Sequence, residues 1–370
     1  MAYYDYTEIL AQGAVYNLII GQRSNGKTFG AIRKVLEEYL ATGTPSAYIR
    51  RLEEQIKPKN IEALCNPHSK WIDEQTQHKY NSFIYRGGGF YLARFELSEK
   101  TGKYLKMAQD RIPFLRCYAI ATADTTKGQD AGPVKYVVFD EFMTRKYYLV
   151  NEFVHFQNLL SSIIRDRQGI QILMLANTVN QYCPYFREMG LKDIAEQEQG
   201  TIAVYTAGTS ETKIAVEYCA QDEEQAKKVS SYYCFDNPQL NMIVTGAWEI
   251  ASYRHAPEDT GDYEIFFCFF VVFGGKIVQG DMILYKNYPI IVFHKKTTEL
   301  KNADKSLIYT EENDDGNPLH QISLAAGETR AHKLIRQLLK SNKFFFDDNN
   351  TGEFINNWLK FALTNSIVKG

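Results

Sequence analysis

The chain has 370 residues, ample for two domains and short for three. Hydrophobic residues make up 45% and aromatics 14%, with 25 Tyr and 22 Phe, which describes a globular protein with sheet-rich packing or extensive interfaces. Forty-two basic residues against 44 acidic ones leave a net charge of −2, which excludes a global basic field for coating nucleic acid; any such surface must be local.

Residues 1–14 carry Tyr3, Tyr4 and Tyr6, which either stack on an adenine or pack down as core. Tyr16–Ile20 reads as a buried strand, followed by Gly21-x4-Gly26-Lys27-Thr28 and then by helical spacing over 29–40. Strand, glycine-rich turn and helix in that order form a P-loop, which predicts binding of a nucleoside triphosphate. Gly21 and Gly26 allow the tight turn, and the loop amides of Ser24 and Asn25 point at phosphate. Lys27 is expected at the β- and γ-phosphates and the Thr28 hydroxyl at Mg²⁺. The helix N-terminus behind the loop adds its positive dipole end.

After Gly43-Thr44-Pro45, Ser46–Arg51 reads as a second strand ending in two arginines. Residues 52–80 read as a charged helical excursion, 83–95 as a hairpin around Gly87-Gly88-Gly89, and 114–123 as a further strand before a polar loop at 125–132. Tyr136-Val137-Val138-Phe139 has a buried parallel-strand pattern and runs into Asp140-Glu141. Carboxylates at such a strand end lie where open α/β sheets bind ligands. Asp140 is placed to hold Mg²⁺ through water and Glu141 to activate the attacking water, the signature of the additional-strand, catalytic-glutamate branch of ATPases. Residues 150–164 read as an amphipathic helix closed by Arg165 and Arg167, either of which can serve as an arginine finger or simply answer the helix dipole. A strand over 170–175 ends in Ala176-Asn177-Thr178, where Asn177 senses the γ-phosphate or caps a turn. Residues 201–205 give a fifth strand, and 221–228 a charged helical connection.

From about residue 241 the pattern changes to alternating aromatic strands over 242–253, 263–273, 276–285 and 289–293. An acidic loop at 310–317 follows, then helices over 324–340, with Arg330, Lys333, Arg336 and Lys340 on an exposed face, and over 353–363. The six cysteines are scattered without a C-x-x-C pair, and Cys65 with His68 lacks further partners, so no metal site is expected. No leader-like stretch is visible, and the longest apolar run, 265–273, is strand length. Reduced thiols in a cytosol are the simplest expectation.

GQRSNGKT, YIRR, VVFDEF, IIRDR, LANT and CPYF, in this order and spacing, resemble the DNA-packaging ATPase (encapsidation protein) of small tailed phages with protein-primed linear genomes. The resemblance covers most of residues 1–215 and continues weakly at Phe344–Asn349. It implies an additional-strand P-loop ATPase domain over 1–218, a linker over 219–240 and an α+β ribonuclease-H-like domain over 241–370. It also implies a homomeric, pentameric ring at the portal (connector) of an empty procapsid in the host cytoplasm, driving double-stranded DNA inward with ATP and Mg²⁺. A packaging RNA joining ring to portal is compatible with it, and a membrane is not involved. By position, Arg165 matches the trans-acting arginine finger, Lys127 falls in the channel-facing loop that contacts DNA phosphates, and Arg50 with Arg51 matches a lid-side pair, although Glu53 replaces the next lid lysine. Larger relatives cut DNA with clustered acids on two metals, whereas Asp236, Glu249, Asp262 and Asp281 here are scattered, which implies a vestigial nuclease fold. The rival readings are a helicase-like or other nucleic-acid-remodelling ATPase, and a regulatory nucleotide switch.

Overall fold

The computed structural model describes residues 3–23, 25–126, 132–144, 148–178, 183–191, 194–208, 210–220, 253–257, 263–311, 316–325 and 327–367. The chain divides into two compact units, Met1–Trp248 and Glu249–Gly370. The expected linker lies almost wholly outside the described residues, as do the expected helix at 221–228 and most of the strand at 242–253.

In chain order the first unit contains α1 (Thr7–Ala11), β1 (Tyr16–Gly21), α2 (Lys27–Thr42), β2 (Ser46–Arg50), α3 (Pro58–Cys65), α4 (Ser69–Gln75), β3 (Ser82–Arg86), β4 (Gly89–Leu97), β5 (Tyr104–Gln109), β6 (Leu115–Ala119), β7 (Tyr136–Asp140), α5 (Glu152–Ile164), β8 (Gln171–Asn177), α6 (Pro184–Glu188), β9 (Thr201–Thr206) and β10 (Lys213–Tyr218). Its sheet has the order β3-β4-β6-β2-β7-β8-β1-β10-β9, with β5 on β4. From β6 to β10 every neighbouring pair is parallel. Leu18–Ile20, Ala47–Ile49, Val137–Phe139 and Ile172–Leu175 are buried throughout, the near-continuous apolar runs that a sheet covered on both faces requires. Helix α5 closes one face with Phe156, Leu159, Leu160 and Ile163; α2 closes the other with Ala31, Ile32, Val35 and Leu36.

Strand β8 lies between β1 and β7, so the loop-bearing strand and the Asp140 strand do not touch. This is the additional-strand order expected from the sequence. The expected strand at 114–123 is shorter, because the chain turns into a 3₁₀ segment at Ile120. Strands β5 and β10 are not among the elements expected from the sequence. Helix α2 holds the N-terminal segment closely: Gly30 lets the Tyr4 carbonyl approach to where a Cβ would stand 2.5 Å away, and the Tyr6 hydroxyl donates to the Lys27 carbonyl at 2.7 Å.

The second unit contains β11 (Ile265–Phe273), β12 (Lys276–Tyr285), β13 (Tyr288–Lys295), β14 (Ile308–Thr310), β15 (His320–Gln321), α7 (Arg330–Lys340), β16 (Phe344–Phe346) and α8 (Asn349–Ile367). An antiparallel meander, β11 to β13, is extended by parallel β14 and β15 beyond β11 and by parallel β16 beyond β13. The first five strands thus stand in the order 3-2-1-4-5, the ribonuclease-H-like arrangement expected for this half. Phe269, Phe293, Tyr309 and Trp358 meet edge to face or tilted at 5.3–5.9 Å and form its centre. Helix α7 begins at Arg330 rather than 324, where Thr329 caps it by accepting from the His332 amide. Arg336 is not on the open face: it is half-buried and donates to the carbonyls of Leu324, Ala325 and Gly327. No described helix is long and apolar enough to cross a membrane.

Gly30 offers a test of the N-terminal packing. Alanine in a helix normally gains about 1 kcal/mol over glycine, but here the new methyl meets a backbone oxygen that cannot swing away. Gly30→Ala is expected to destabilise the protein by about 1–3 kcal/mol in thermal melting. The same substitution in a chain lacking residues 1–6 is expected to be neutral or stabilising.

Candidate functional site

Parallel strands deliver their C-terminal ends to one edge, and the polar residues gather there. In register, Gly21 of β1 faces Asn177 of β8, Leu175 faces Asp140 of β7, and Phe139 faces Ile49 just before Arg50. The loop after β1 turns through Gly26 at φ 81° into α2, so the first amides of that helix point out of the same edge. Ser24 lies outside the described residues.

The Lys27 ammonium is buried and folded back on its loop. It donates to the carbonyls of Gly21 (3.3 Å) and Gln22 (2.8 Å), to Asn25 Oδ1 (2.9 Å) and, at 3.4 Å, to Asn177 Oδ1. Burial pushes its pKa down to about 8, against smaller opposing effects of Cys219 and Asp140. The Thr28 hydroxyl lies 3.2 and 3.3 Å from the two oxygens of Asp140. A hydroxyl and a carboxylate converging beside a phosphate-shaped loop are the hard oxygen donors that Mg²⁺ takes, with water and phosphate completing its shell. The donor set therefore fits Mg²⁺ at Thr28 and Asp140.

Two residues at this edge were not legible as partners in the sequence. The Tyr48 hydroxyl donates to Asp140 Oδ2 at 2.7 Å. Arg50 bridges the acidic pair, with Nη1 on Asp140 Oδ2 at 3.0 Å and Nη2 on Glu141 Oε2 at 2.6 Å. Arg51 is buried on the other side of β2 against Glu152 of α5. Both arginines of the expected lid-side pair thus serve their own chain in this structure. The signal was present, since YIRR and VVFDE end neighbouring strands, but only the strand order shows that they are neighbours.

Glu141 follows Asp140 with φ at 59° and an exposed side chain. Arg165 terminates α5 with φ at 49° and is also exposed. It stands at the opposite edge of the sheet, because α5 runs back along β7 and the turn after it sits where β7 and β8 begin. There the Gln171 amide donates to the Lys135 carbonyl at 3.2 Å and Lys135 Nζ to the Gly169 carbonyl at 3.2 Å. Roughly 15 Å of strand separates that edge from Asp140. Arg167 donates to the Ile163 carbonyl and closes the helix. Lys127 lies outside the described residues.

The N-terminal tyrosines are taken up in packing. Tyr3 stacks on Phe29 at 3.6 Å, with His68 against the other side of that ring at 4.0 Å, and Tyr4 bonds Glu217. Burial, with Arg33 nearby, pushes His68 down to about 4, so it is neutral and accepts from Arg33 Nε. In the second unit Asp281 is held by Gln279 and His294; Asp236, Glu249 and Asp262 lie outside the described residues. Among the described residues no three His, Cys, Asp or Glu side chains converge as a metal site would need.

The family described as podovirus DNA encapsidation protein (Gp16) matches residues 1–207. The DNA packaging proteins of Bacillus phages PZA and phi29 are each 24% identical over 187 residues, 50% of this chain and 49% of theirs. The match thus spans about half the length of these curated relatives. The phi-28 gp11 DNA packaging motor has a similar structure, with a TM-score of 0.54 at 15% identity over 97% of this chain and 98% of that one. The subunit in the phi29 viral genome packaging motor assembly gives 0.52 at 16% identity, over 97% and 100%. At these identities the two structures show the fold alone.

The depressed Lys27 pKa has a measurable consequence. In the ligand-free protein the cost of the buried ammonium is full below pH 8 and fades as the pH rises towards the ordinary 10.5. A polyphosphate beside the ammonium favours its charged form, so nucleotide binding at pH 9 is expected to take up close to one proton and at pH 7 almost none. Affinity should fall by up to about tenfold per pH unit above 8. Calorimetry with ADP in buffers of different ionisation heat checks both; equal proton uptake at the two pH values would contradict the assignment of Lys27.

Proposed function

Because the chain belongs to the podovirus DNA encapsidation protein (Gp16) family, we propose that it is an ATP-driven motor that moves double-stranded viral DNA through the portal into a procapsid, hydrolysing ATP in pockets shared between neighbouring copies. One observation carries the sharing: Arg165 stands at the sheet edge opposite its own chain's Thr28, Asp140 and Asn177. A guanidinium placed there serves another copy's γ-phosphate or none. Its left-handed backbone supports the same reading, since strained non-glycine positions concentrate at functional sites.

The phosphates rest on the loop amides and on Lys27, which exchanges its bonds to the Gly21 and Gln22 carbonyls for phosphate oxygens. Thr28 and Asp140 would hold Mg²⁺, which when bound would neutralise phosphate charge. Glu141, released from Arg50, polarises the water that attacks the γ-phosphorus, and the bond from phosphorus to the bridging oxygen of ADP breaks. Asn177, within reach of Lys27 and level with Gly21, orients the γ-phosphate or that water. Arg165 of the neighbouring copy neutralises the charge that develops. Lys127 grips DNA phosphates, because a motor that must accept every sequence holds backbone rather than base edges. The copies form a pentameric ring at the portal vertex in the host cytoplasm, with a packaging RNA as a compatible adaptor, and the C-terminal unit supplies contacts to portal or nucleic acid rather than cleavage.

Arg165→Ala is expected to lower DNA- and portal-stimulated hydrolysis by about 10³–10⁵-fold while nucleotide affinity changes less than about threefold. Loss of nucleotide binding in that variant would count against the finger. A DNase-protection assay with procapsids tests the function as a whole: the wild-type chain should protect unit-length duplex, and Glu141→Gln should protect none while still binding ATP. Metal-dependent cleavage of DNA by the purified protein would overturn the reading of the C-terminal unit.

A further inference from the structure

The backbone of Glu141 and the helix that ends in Arg165 are fastened by one buried ion pair. Arg51, at the end of β2, is buried, with Nε on Glu152 Oε2 at 2.8 Å and Nη2 on Glu152 Oε1 at 2.9 Å. The same guanidinium donates to the Glu141 carbonyl at 3.2 Å and to the Phe142 carbonyl at 2.7 Å, and it lies over the Tyr148 ring. Glu152 is the first residue of α5, and it accepts further from the Leu149 amide (2.7 Å) and the Tyr185 hydroxyl (2.9 Å).

We propose that Arg51 and Glu152 are positioning residues with two outputs. They fix the peptide of Glu141 in the chain's own pocket, and through α5 they fix where Arg165 is presented to the next copy. The proposal rests on the shared-pocket reading above.

Three features carry it. A left-handed glutamate is strained and persists only where its surroundings over-determine it. Here its carbonyl and the next one are held by Arg51, and the Phe142 amide is held by the Leu175 carbonyl at 3.2 Å. Second, a carboxylate that only answered the N-terminus of α5 would be satisfied by the Leu149 amide and the helix dipole. The bidentate reach to β2 adds geometric definition that a point contact lacks. Third, a cluster of apolar side chains of equal volume would stabilise the core at least as well as a buried ion pair. It could not donate to two carbonyls beside the catalytic glutamate. The helix itself transmits the placement: four of its side chains are locked in the core, and it runs about 20 Å from the Glu152 turn to the Arg165 turn. Burial opposes the charge of Arg51, but Glu152, with Tyr185 and Tyr148, outweighs it, so the guanidinium stays charged.

The cis output is read from Glu152→Gln, which keeps size and an acceptor for two of the four donors. Its kcat is expected to fall at least tenfold with KM and ADP affinity within threefold. A comparable loss is expected when Glu152→Gln sits only in the Arg165→Ala copies of rings mixed with Glu141→Gln copies, whose fingers are intact. A merely structural role would lower melting temperature and nucleotide binding together, and that result, or undiminished turnover in those mixed rings, would overturn the cis claim. The trans output is read by mixing. Rings of Glu141→Gln copies with Arg165→Ala copies keep one working interface, in which the Glu141→Gln copy donates the finger. Replacing those donors by the double variant Glu141→Gln/Glu152→Gln, whose own pocket is already dead, is expected to cut the restored turnover at least fivefold. Equal turnover with both donors would overturn the trans claim. No turnover even with the single-variant donors would instead sink the shared pocket itself, leaving the kcat result to stand for the cis half. If Glu152→Gln melts more than 10 °C lower, Tyr185→Phe replaces it in both arms, with expected losses of about twofold or more and equal activity again counting against the proposal.

Discussion

Parallel pairing is the constraint on which the rest depends. Strands β2, β7, β8 and β1 lie side by side in one direction, so whatever follows each of them must appear at the same edge. That rule alone brings Lys27, Asp140, Asn177 and Arg50 within reach of one another from four places in the chain. It also disposes of α5: a helix that returns from the end of β7 to the start of β8 must finish at the far edge. The position of Arg165 is therefore a consequence of topology, fixed before any detail of side-chain packing is considered.

The charges at the crowded edge balance within the chain. Asp140 receives Thr28, Tyr48 and Arg50, Glu141 receives Arg50, and the Lys27 ammonium is surrounded by carbonyl and amide oxygens. Each partner is of the kind that phosphate, metal or water can displace. A buried ammonium held only by neutral oxygens keeps its charge at a cost, which is why its pKa is depressed and why a polyanion is the ligand that relieves it. The second arginine of the pair differs. Arg51 has a full carboxylate partner and no exposed counterpart, and it is bound into the frame.

Much of this was legible in the sequence, for reasons that are physical. A loop that must turn tightly and expose amides needs its glycines at fixed spacing, and a strand covered on both faces needs an unbroken apolar run, so Gly21 to Thr28 and Tyr136 to Glu141 declared themselves. Periodicity likewise revealed α5 and the three-stranded meander of the second unit. What stayed hidden was relational. Arg50 and Arg51 are adjacent letters, yet one turns to the acidic pair and the other into the core, and only the order of strands decides which. Nothing in the sequence distinguishes Glu152 from any acidic residue in a first helical turn. Strand β10 is not legible because Lys213–Tyr218 is short and polar at its start, and it becomes a strand by pairing with β1 rather than by pattern. The helix expected from 324 started later because Gly327 and Thr329 suit a turn and a cap better than a helix interior.

The distance from Asp140 to Arg165 across the sheet sets an economy on the shared-pocket reading. On that reading a copy diffusing alone would carry half of two pockets and the whole of none, so it would bind ATP and hold it without consuming it. Fuel use would then begin only when copies meet.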